Sequence, residues 1–400
     1  MSNLMDYLEW RGDLTFDNSP VNEVDNLIFC LLAYVDFDGI VPGDAPKGKI
    51  SLRQAAMEYF FMHKEHKERA LGFIIPDDIL TMFRRMASTR RYSSIELSRY
   101  INEVNEDREM QFSAISIFLP NEEIFVAFRG TDDTIVGWHE DFNLSHLEEV
   151  PAQRKATEYL NALDITADTC LFVGGHSKGG NLAVWGAIHA TDEIRRHIVQ
   201  IYSNDGPGFA DGTVQSDLYR SMADRIQILL PDDSLIGLLL EHDQDYTVVK
   251  SNRKGIFQHD GLSWEVLGGQ FLRADALSAK GLRNDTVVRE RIQSMTREER
   301  ERLLNIVFEL LESTGAKTLS ELYANRRRAI VTIFRNFREL PQTTQKTATF
   351  LLEKLIGNGI MSEKHIVGEK TMKKCKKAKH TKGTIHVSFA RCHSLKRYKL

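Results

Sequence analysis

Apolar positions recur along this chain with two different periods, and the change between them divides it. Residues 1–45 mix charge with a helical apolar run from Val24 to Tyr34 that ends at Asp36-Phe37-Asp38-Gly39. Residues 51–110 read as helix-like segments separated by polar breaks. Ser51-Leu52-Arg53-Gln54 opens one, and Ser94-Ile95-Glu96-Leu97 opens another that ends in the polar cluster Asn102 to Arg108. From Phe112 the period becomes two. Phe112 to Phe118 and Glu123 to Phe128 flank Leu119-Pro120-Asn121-Glu122 and predict a β-hairpin. An amphipathic helix is expected from Ala152 to Leu163, then an apolar strand at Thr169-Cys170-Leu171-Phe172-Val173. Further strands are expected from His197 to Tyr202, Arg225 to Leu230 and Tyr246 to Lys250. Strands alternating with helices imply a mainly parallel sheet covered on both faces. Beyond His259 the pattern is helical again. Thr296-Arg297-Glu298-Glu299 predicts a capping box ahead of apolar positions 303, 304, 306, 307, 310 and 311, and helices are expected through 330–337 and 347–355. No internal repeat interrupts this order.

The chemistry concentrates where the first strand of the parallel region ends. Gly175-His176-Ser177-Lys178-Gly179-Gly180 follows the apolar run directly and precedes a helix-like stretch from Asn181 to Ala190. A G-x-S-x-G pattern carries little weight alone, but at a strand-to-helix turn it meets the requirements of a nucleophile elbow. The turn is tight enough to need near side-chain-free positions two before and two after the serine. The following helix aims its amide-rich N-terminus at developing negative charge.

A serine nucleophile needs a base, an acid that orients the base, and donors for an oxyanion. In α/β-hydrolases these follow in the order serine, acid, histidine. Downstream of Ser177, the strand-like run ending at Leu230 empties into Pro231-Asp232-Asp233-Ser234. The next run leads to Gln258-His259-Asp260. His259 is therefore the expected base, with His242, which precedes the last strand, as its competitor. His176 should point away from Ser177. Asp233 is the expected acid, with Asp232 beside it and Asp205, at the end of the preceding strand, as alternatives. The oxyanion donors are expected to be the Lys178 amide and Thr131, which could offer both an amide and a hydroxyl from Arg129-Gly130-Thr131. No cofactor and no metal is called for.

Together these residues form a resemblance. Phe128-Arg129-Gly130-Thr131, then Trp138 and Asp141, then Gly175 to Gly180, is similar to the lipase class 3 branch of the α/β-hydrolases. The chain more closely resembles the Mbeg-like bacterial hydrolases. That resemblance extends to Asp6-Tyr7-Leu8-Glu9-Trp10-Arg11-Gly12-Asp13-Leu14, to Asp205-Gly206-Pro207-Gly208-Phe209 and to residues 259–264, and covers about residues 3–360. It implies an α/β-hydrolase fold and a serine-hydrolase site. Two positions depart from the class 3 pattern: Lys178 stands where an apolar residue is usual, and Asp233 precedes Ser234 rather than proline.

Length and charge complete the expectation. A chain of 400 residues exceeds what one core usually serves. The organisation expected is an N-terminal helical cap region packed on the core over 1–110, an α/β-hydrolase core over 111–290 and a C-terminal helical region over 291–362. A basic tail, 363–400, completes it. The tail carries a formal charge of +10 and leaves −14 on residues 1–362. It is expected to be solvated, and it is the candidate for docking to an anionic surface, membrane or nucleic acid. The four scattered cysteines, with no signal-peptide pattern at the start, point to the cytoplasm. The function expected is hydrolysis of a carboxylic ester, a lipid or other acyl ester, with no obligate partner implied. The alternative is a non-catalytic module of the same fold that docks through its basic tail. The apolar run Leu235 to Leu240 could wall an acyl pocket, form a lid or be a buried turn.

Overall fold

The computed structural model describes residues 2–43, 48–63, 78–210, 212–243, 245–278 and 294–356, without the side chains of Ile256 and of 351–356. Residues 1–351 form one compact unit. The basic tail, and with it the expected docking patch over 363–400, lies outside the described residues.

Eight strands form one sheet in simple chain order: β1 (Ile50–Ser51), β2 (Glu96–Asn105), β3 (Met110–Phe118), β4 (Glu123–Phe128), β5 (Cys170–His176), β6 (Ile198–Asn204), β7 (Ile226–Pro231) and β8 (Tyr246–Val249). The pairs from β1 to β4 are antiparallel and those from β4 to β8 parallel. The crossovers are helical between β4 and β7: α5 (Ile135–Asn143) and α6 (Pro151–Asn161), then α7 (Lys178–His189) and α8 (Asp192–His197), then α9 (Asp217–Met222). Helices also cover the other face, so the architecture is an α/β-hydrolase fold.

The two faces hold separate apolar clusters. On one, α1 (Leu4–Arg11), α2 (Glu23–Leu32), α3 (Leu52–Met62) and α4 (Asp78–Ser88) pack with Ile115, Ile117, Phe125 and Ala127. On the other, α6, α7 and α9 pack with Phe112, Ala114, Val126, Phe128 and Val173. Alternate residues of β3 and β4 thus enter opposite clusters, as the pleat requires when both faces are dry. The described residues before 110 supply the four helices of one layer and contribute two strands to the sheet.

One of those strands corrects the sequence reading. Residues 96–105 form β2, where a helix was expected to open at Ser94. Leu97, Tyr100, Ile101 and Val104 have helical spacing, but Arg99 sits at φ 55° where the β2–β3 register shifts. The bulge inserts a residue and breaks the period of two, so a strand carries the pattern of a helix.

The C-terminal helices are α10 (Arg297–Glu312), α11 (Leu319–Ala324), α12 (Arg326–Glu339) and α13 (Gln342–Ile356). The Thr296–Glu299 capping box is formed as expected. His139 of α5 stacks on Phe308 of α10 with ring centroids 4.2 Å apart. Ahead of α11, the Ile135 amide donates to Lys317 O at 3.0 Å and the Leu319 amide to Asp133 O at 2.9 Å. This region is therefore stitched to the loop that follows β4.

Candidate active site

Ser177 stands between β5 and α7 with φ 59° and ψ −134°, a conformation that costs an L-residue about 1–3 kcal/mol. The flanking glycines make it attainable. A Cβ on Gly175 would fall 2.0 Å from the backbone of Gly179, and one on Gly179 would fall 2.2 Å from Phe128 O. The serine is anchored from the neighbouring strand: its amide donates to Asn204 O at 3.0 Å, while Asn204 Nδ2 donates to Gly175 O at 3.0 Å.

The residue after Asn204 is Asp205, fully buried at φ 48°, with its amide donating to Leu229 O at 2.8 Å. Its Oδ2 accepts from His259 Nδ1 at 2.7 Å. Its Oδ1 accepts from Ser234 Oγ at 2.5 Å and from the Gly237 amide at 3.1 Å. The carboxylate that orients His259 is thus at the end of β6, and the assignment to Asp233, after β7, is corrected. Asp233 instead holds the histidine's loop. Its amide donates to Gln258 Oε1 at 2.8 Å, and its carboxylate accepts from the Gly255 amide at 3.2 Å and from the Ser278 hydroxyl. Asp232 takes the Gln258 side-chain amide at 2.7 Å. The sequence did contain a signal for Asp205, because Asp205-Gly206-Pro207-Gly208-Phe209 was one of the motifs behind the resemblance.

His259 ends a short 3₁₀ turn, Gly255–His259, that buried Trp264 secures by donating from Nε1 to Gln258 O at 2.9 Å. It is brought alongside the elbow by a residue that sequence reasoning left idle. His176 Nε2 donates to His259 O at 2.7 Å, and the Tyr34 hydroxyl meets His176 Nδ1 at 3.1 Å. The two imidazoles lie 4.6 Å apart. His242 packs instead toward Tyr246, 5.7 Å between ring centroids.

The loop after β4 closes the other side. A Cβ on Gly130 would fall 2.2 Å from the Tyr34 hydroxyl, 2.5 Å from His176 O and 3.0 Å from Ser177 Cβ, so the backbone at 130 lies directly against Ser177. Neither the Thr131 nor the Lys178 amide has an acceptor among the described residues. The Thr131 hydroxyl donates to Asp141 Oδ2. The Leu235 to Leu240 run forms irregular turns without a helix, and its backbone at Gly237 secures Asp205.

A family model described as Mbeg1-like matches residues 86–309, more than half of the chain, from β2 into α10. The chain belongs to the Mbeg1-like family. The matched span of this Mbeg1-like protein includes Thr131, Ser177, Asp205 and His259. No curated protein matches it. Among solved structures, a crystal structure of M37 lipase aligns over 46% of this chain and 69% of its own, at 14% identity and a TM-score of 0.31.

The electrostatics of this Mbeg1-like site follow from burial. His176 is held neutral, its pKa lowered to about 3 by desolvation and by the neighbouring His259. It therefore keeps one donor and one acceptor nitrogen for its two partners. Lys178, the unusual residue after the serine, turns its side chain away from the site and is fully buried. Its ammonium donates to Gln111 O at 2.9 Å, Gln111 Oε1 at 2.7 Å and Glu140 Oε2 at 3.0 Å. Glu140 also accepts from the Gln111 and Ala152 amides at 2.9 and 2.8 Å. The Asp141 carboxyl is raised to about 6 by desolvation, which Lys178 only partly offsets. Its Oδ1 has no hydrogen-bond partner among the described residues. No group of three or more metal-binding side chains occurs among the described residues. None of their helices is long and apolar enough to cross a membrane.

Proposed function

We propose that this protein is a serine hydrolase that cleaves carboxylic esters, lipid or other acyl esters, through an acyl-enzyme on Ser177. Ser177 Oγ attacks the ester carbonyl while His259 Nε2 takes its proton. The Asp205 carboxylate holds His259 with Nδ1 protonated and Nε2 free, and stabilises the imidazolium that forms. The negative charge on the former carbonyl oxygen falls to the amides of Thr131 and Lys178 at the N-terminus of α7. The carbon–oxygen bond to the alcohol then breaks, and the alcohol leaves with the proton from His259. Water repeats the sequence on the acyl-enzyme and regenerates Ser177.

The observation that carries this reading is the 2.7 Å Asp205–His259 hydrogen bond, with the His259 ring 4.6 Å from that of His176, the residue before a serine held in a strained elbow. A purely binding module gains nothing from a buried carboxylate aimed at an imidazole next to a strained serine, since each costs stability. The free thiols of Cys30 and Cys170 fit a cytoplasmic location. The test is turnover of p-nitrophenyl esters with short and long acyl chains, comparing the parent with Ser177→Ala. Nitrophenol release by the parent, abolished in the variant, is expected. Equal turnover by both would remove the proposal.

A further inference from the structure

The outer face of α12 combines exposed apolar and basic side chains. Its inner face is fully used: Ala329 is buried, and Ile333 and Phe337 pack with Ile306, Leu310 and Ala348. The opposite face gathers Arg327, Ile330, Val331, Phe334, Arg335 and Arg338, spaced three, four, seven, eight and eleven residues from the first, so all lie on one side of a helix. Ile330, Val331 and Phe334 are 54%, 67% and 63% exposed. The helix holds five arginines against one acid, Glu339, on a chain whose residues 1–362 sum to a formal −14.

We propose that this face of α12 is a docking surface for an anionic phospholipid bilayer, lying in the headgroup region parallel to the membrane. The charge selects an anionic partner, and the body's own acidity makes the patch a local exception. The aliphatic side chains select a lipid over nucleic acid. Ile330 and Val331 would gain nothing against phosphates and base edges, whereas both enter the acyl boundary of a membrane while long arginines stay with the headgroups. The basic segment 363–400 is excluded as the occupant by like charge. The inference rests on the proposed lipid or acyl ester substrate only for its purpose. The segment before α11 is hydrogen-bonded to the loop that carries Thr131, so docking would hold the site at a fixed position relative to the lipid surface.

The test uses the full chain and sedimentation with vesicles of phosphatidylcholine alone or mixed with phosphatidylglycerol. The parent should bind the mixed vesicles at least tenfold better than the neutral ones. The triple variant Ile330→Ser, Val331→Ser, Phe334→Ser should lose at least about tenfold of that binding, because it removes the apolar side chains and keeps the arginines. Its reaction with a fluorophosphonate in solution should be unchanged, which reports an intact fold and site. A second variant, Phe334→Trp, should add tryptophan fluorescence that lipids brominated on the acyl chain quench. Unchanged binding by the triple variant would assign adhesion to the tail and overturn the proposal. So would added fluorescence that stays unquenched when the Phe334→Trp variant is bound to brominated vesicles. Tighter binding to single-stranded RNA than to mixed vesicles, unaffected by the triple variant, would also overturn it in favour of a nucleic-acid surface. Ser177→Ala should bind vesicles like the parent, so failure of the hydrolase reading and failure of this one are separable.

Discussion

Replacing Asp205 with Asn changes one atom and separates two accounts of the acid. The amide can keep its oxygen toward Ser234 Oγ and the Gly237 amide, which the Asp205 carboxylate now accepts at 2.5 and 3.1 Å. Its NH₂ then faces His259 Nδ1, where the carboxylate had accepted a hydrogen bond at 2.7 Å. A donor there forces the imidazole into the other tautomer, with Nε2 protonated and unable to take the serine's proton. The charge that stabilised the imidazolium is also lost. In a serine triad this combination is worth about 10⁴ in rate, or about 5.5 kcal/mol of transition-state stabilisation. The rate of fluorophosphonate labelling reads nucleophile activation without knowledge of the substrate. Asp205→Asn should slow it by about 10²–10⁴, with the melting transition still cooperative because the side chain's shape and two of its bonds survive. Asp233→Asn keeps the Gln258 contact made by its backbone and should slow labelling less than about tenfold. Slow labelling of Asp233→Asn beside normal labelling of Asp205→Asn would refute the reasoning.

Three further outcomes follow from neighbouring geometry. His176 is neutral in the fold down to about pH 3 but titrates near 6.5 when unfolded. The unfolded chain therefore binds the extra proton between those values, and stability falls as pH drops through that window by up to about 1.4 kcal/mol per unit. Denaturant melts of His176→Gln should show a shallower acid slope than the parent, and an identical slope would contradict the assignment. Lys178→Met leaves Glu140 buried without its cation and should cost about 3–5 kcal/mol in chemical denaturation, most of it recovered when Glu140→Gln is added. Thr131→Val should slow labelling less than about tenfold, because the hydroxyl serves Asp141 and the amide remains. A loss of about 10²–10³ would show instead that the hydroxyl is an oxyanion donor.

The parallel strands were legible in the sequence because each is a short apolar run bounded by turn residues and buried on both sides. The expected strand over 225–230 is β7 at 226–231, and the hairpin expected at 112–128 is β3 and β4. Residues 96–105 were misread for a local reason, the bulge at Arg99 that converts a strand's period into a helix's. Ser177 was legible because its two glycines answer a steric demand that is local in sequence. The acid was not, because which strand end faces His259 depends on where the loop carrying the histidine lands. That landing is set by contacts far apart in the chain, such as His176 with the His259 carbonyl and Gln258 with Asp232 and Asp233. The buried destination of Lys178 was hidden for the same reason, since Gln111 and Glu140 meet it from β3 and α5.

The central claim is that Ser177 is an activated nucleophile. Intact-mass analysis of the folded protein after exposure to a fluorophosphonate, followed by peptide mapping, tests it most directly. The account predicts one adduct per chain, carried by the peptide containing Gly175-His176-Ser177-Lys178-Gly179 and absent from Ser177→Ala and from heat-unfolded protein. A folded protein that stays unlabelled, or an adduct that persists on another residue in Ser177→Ala, would contradict it.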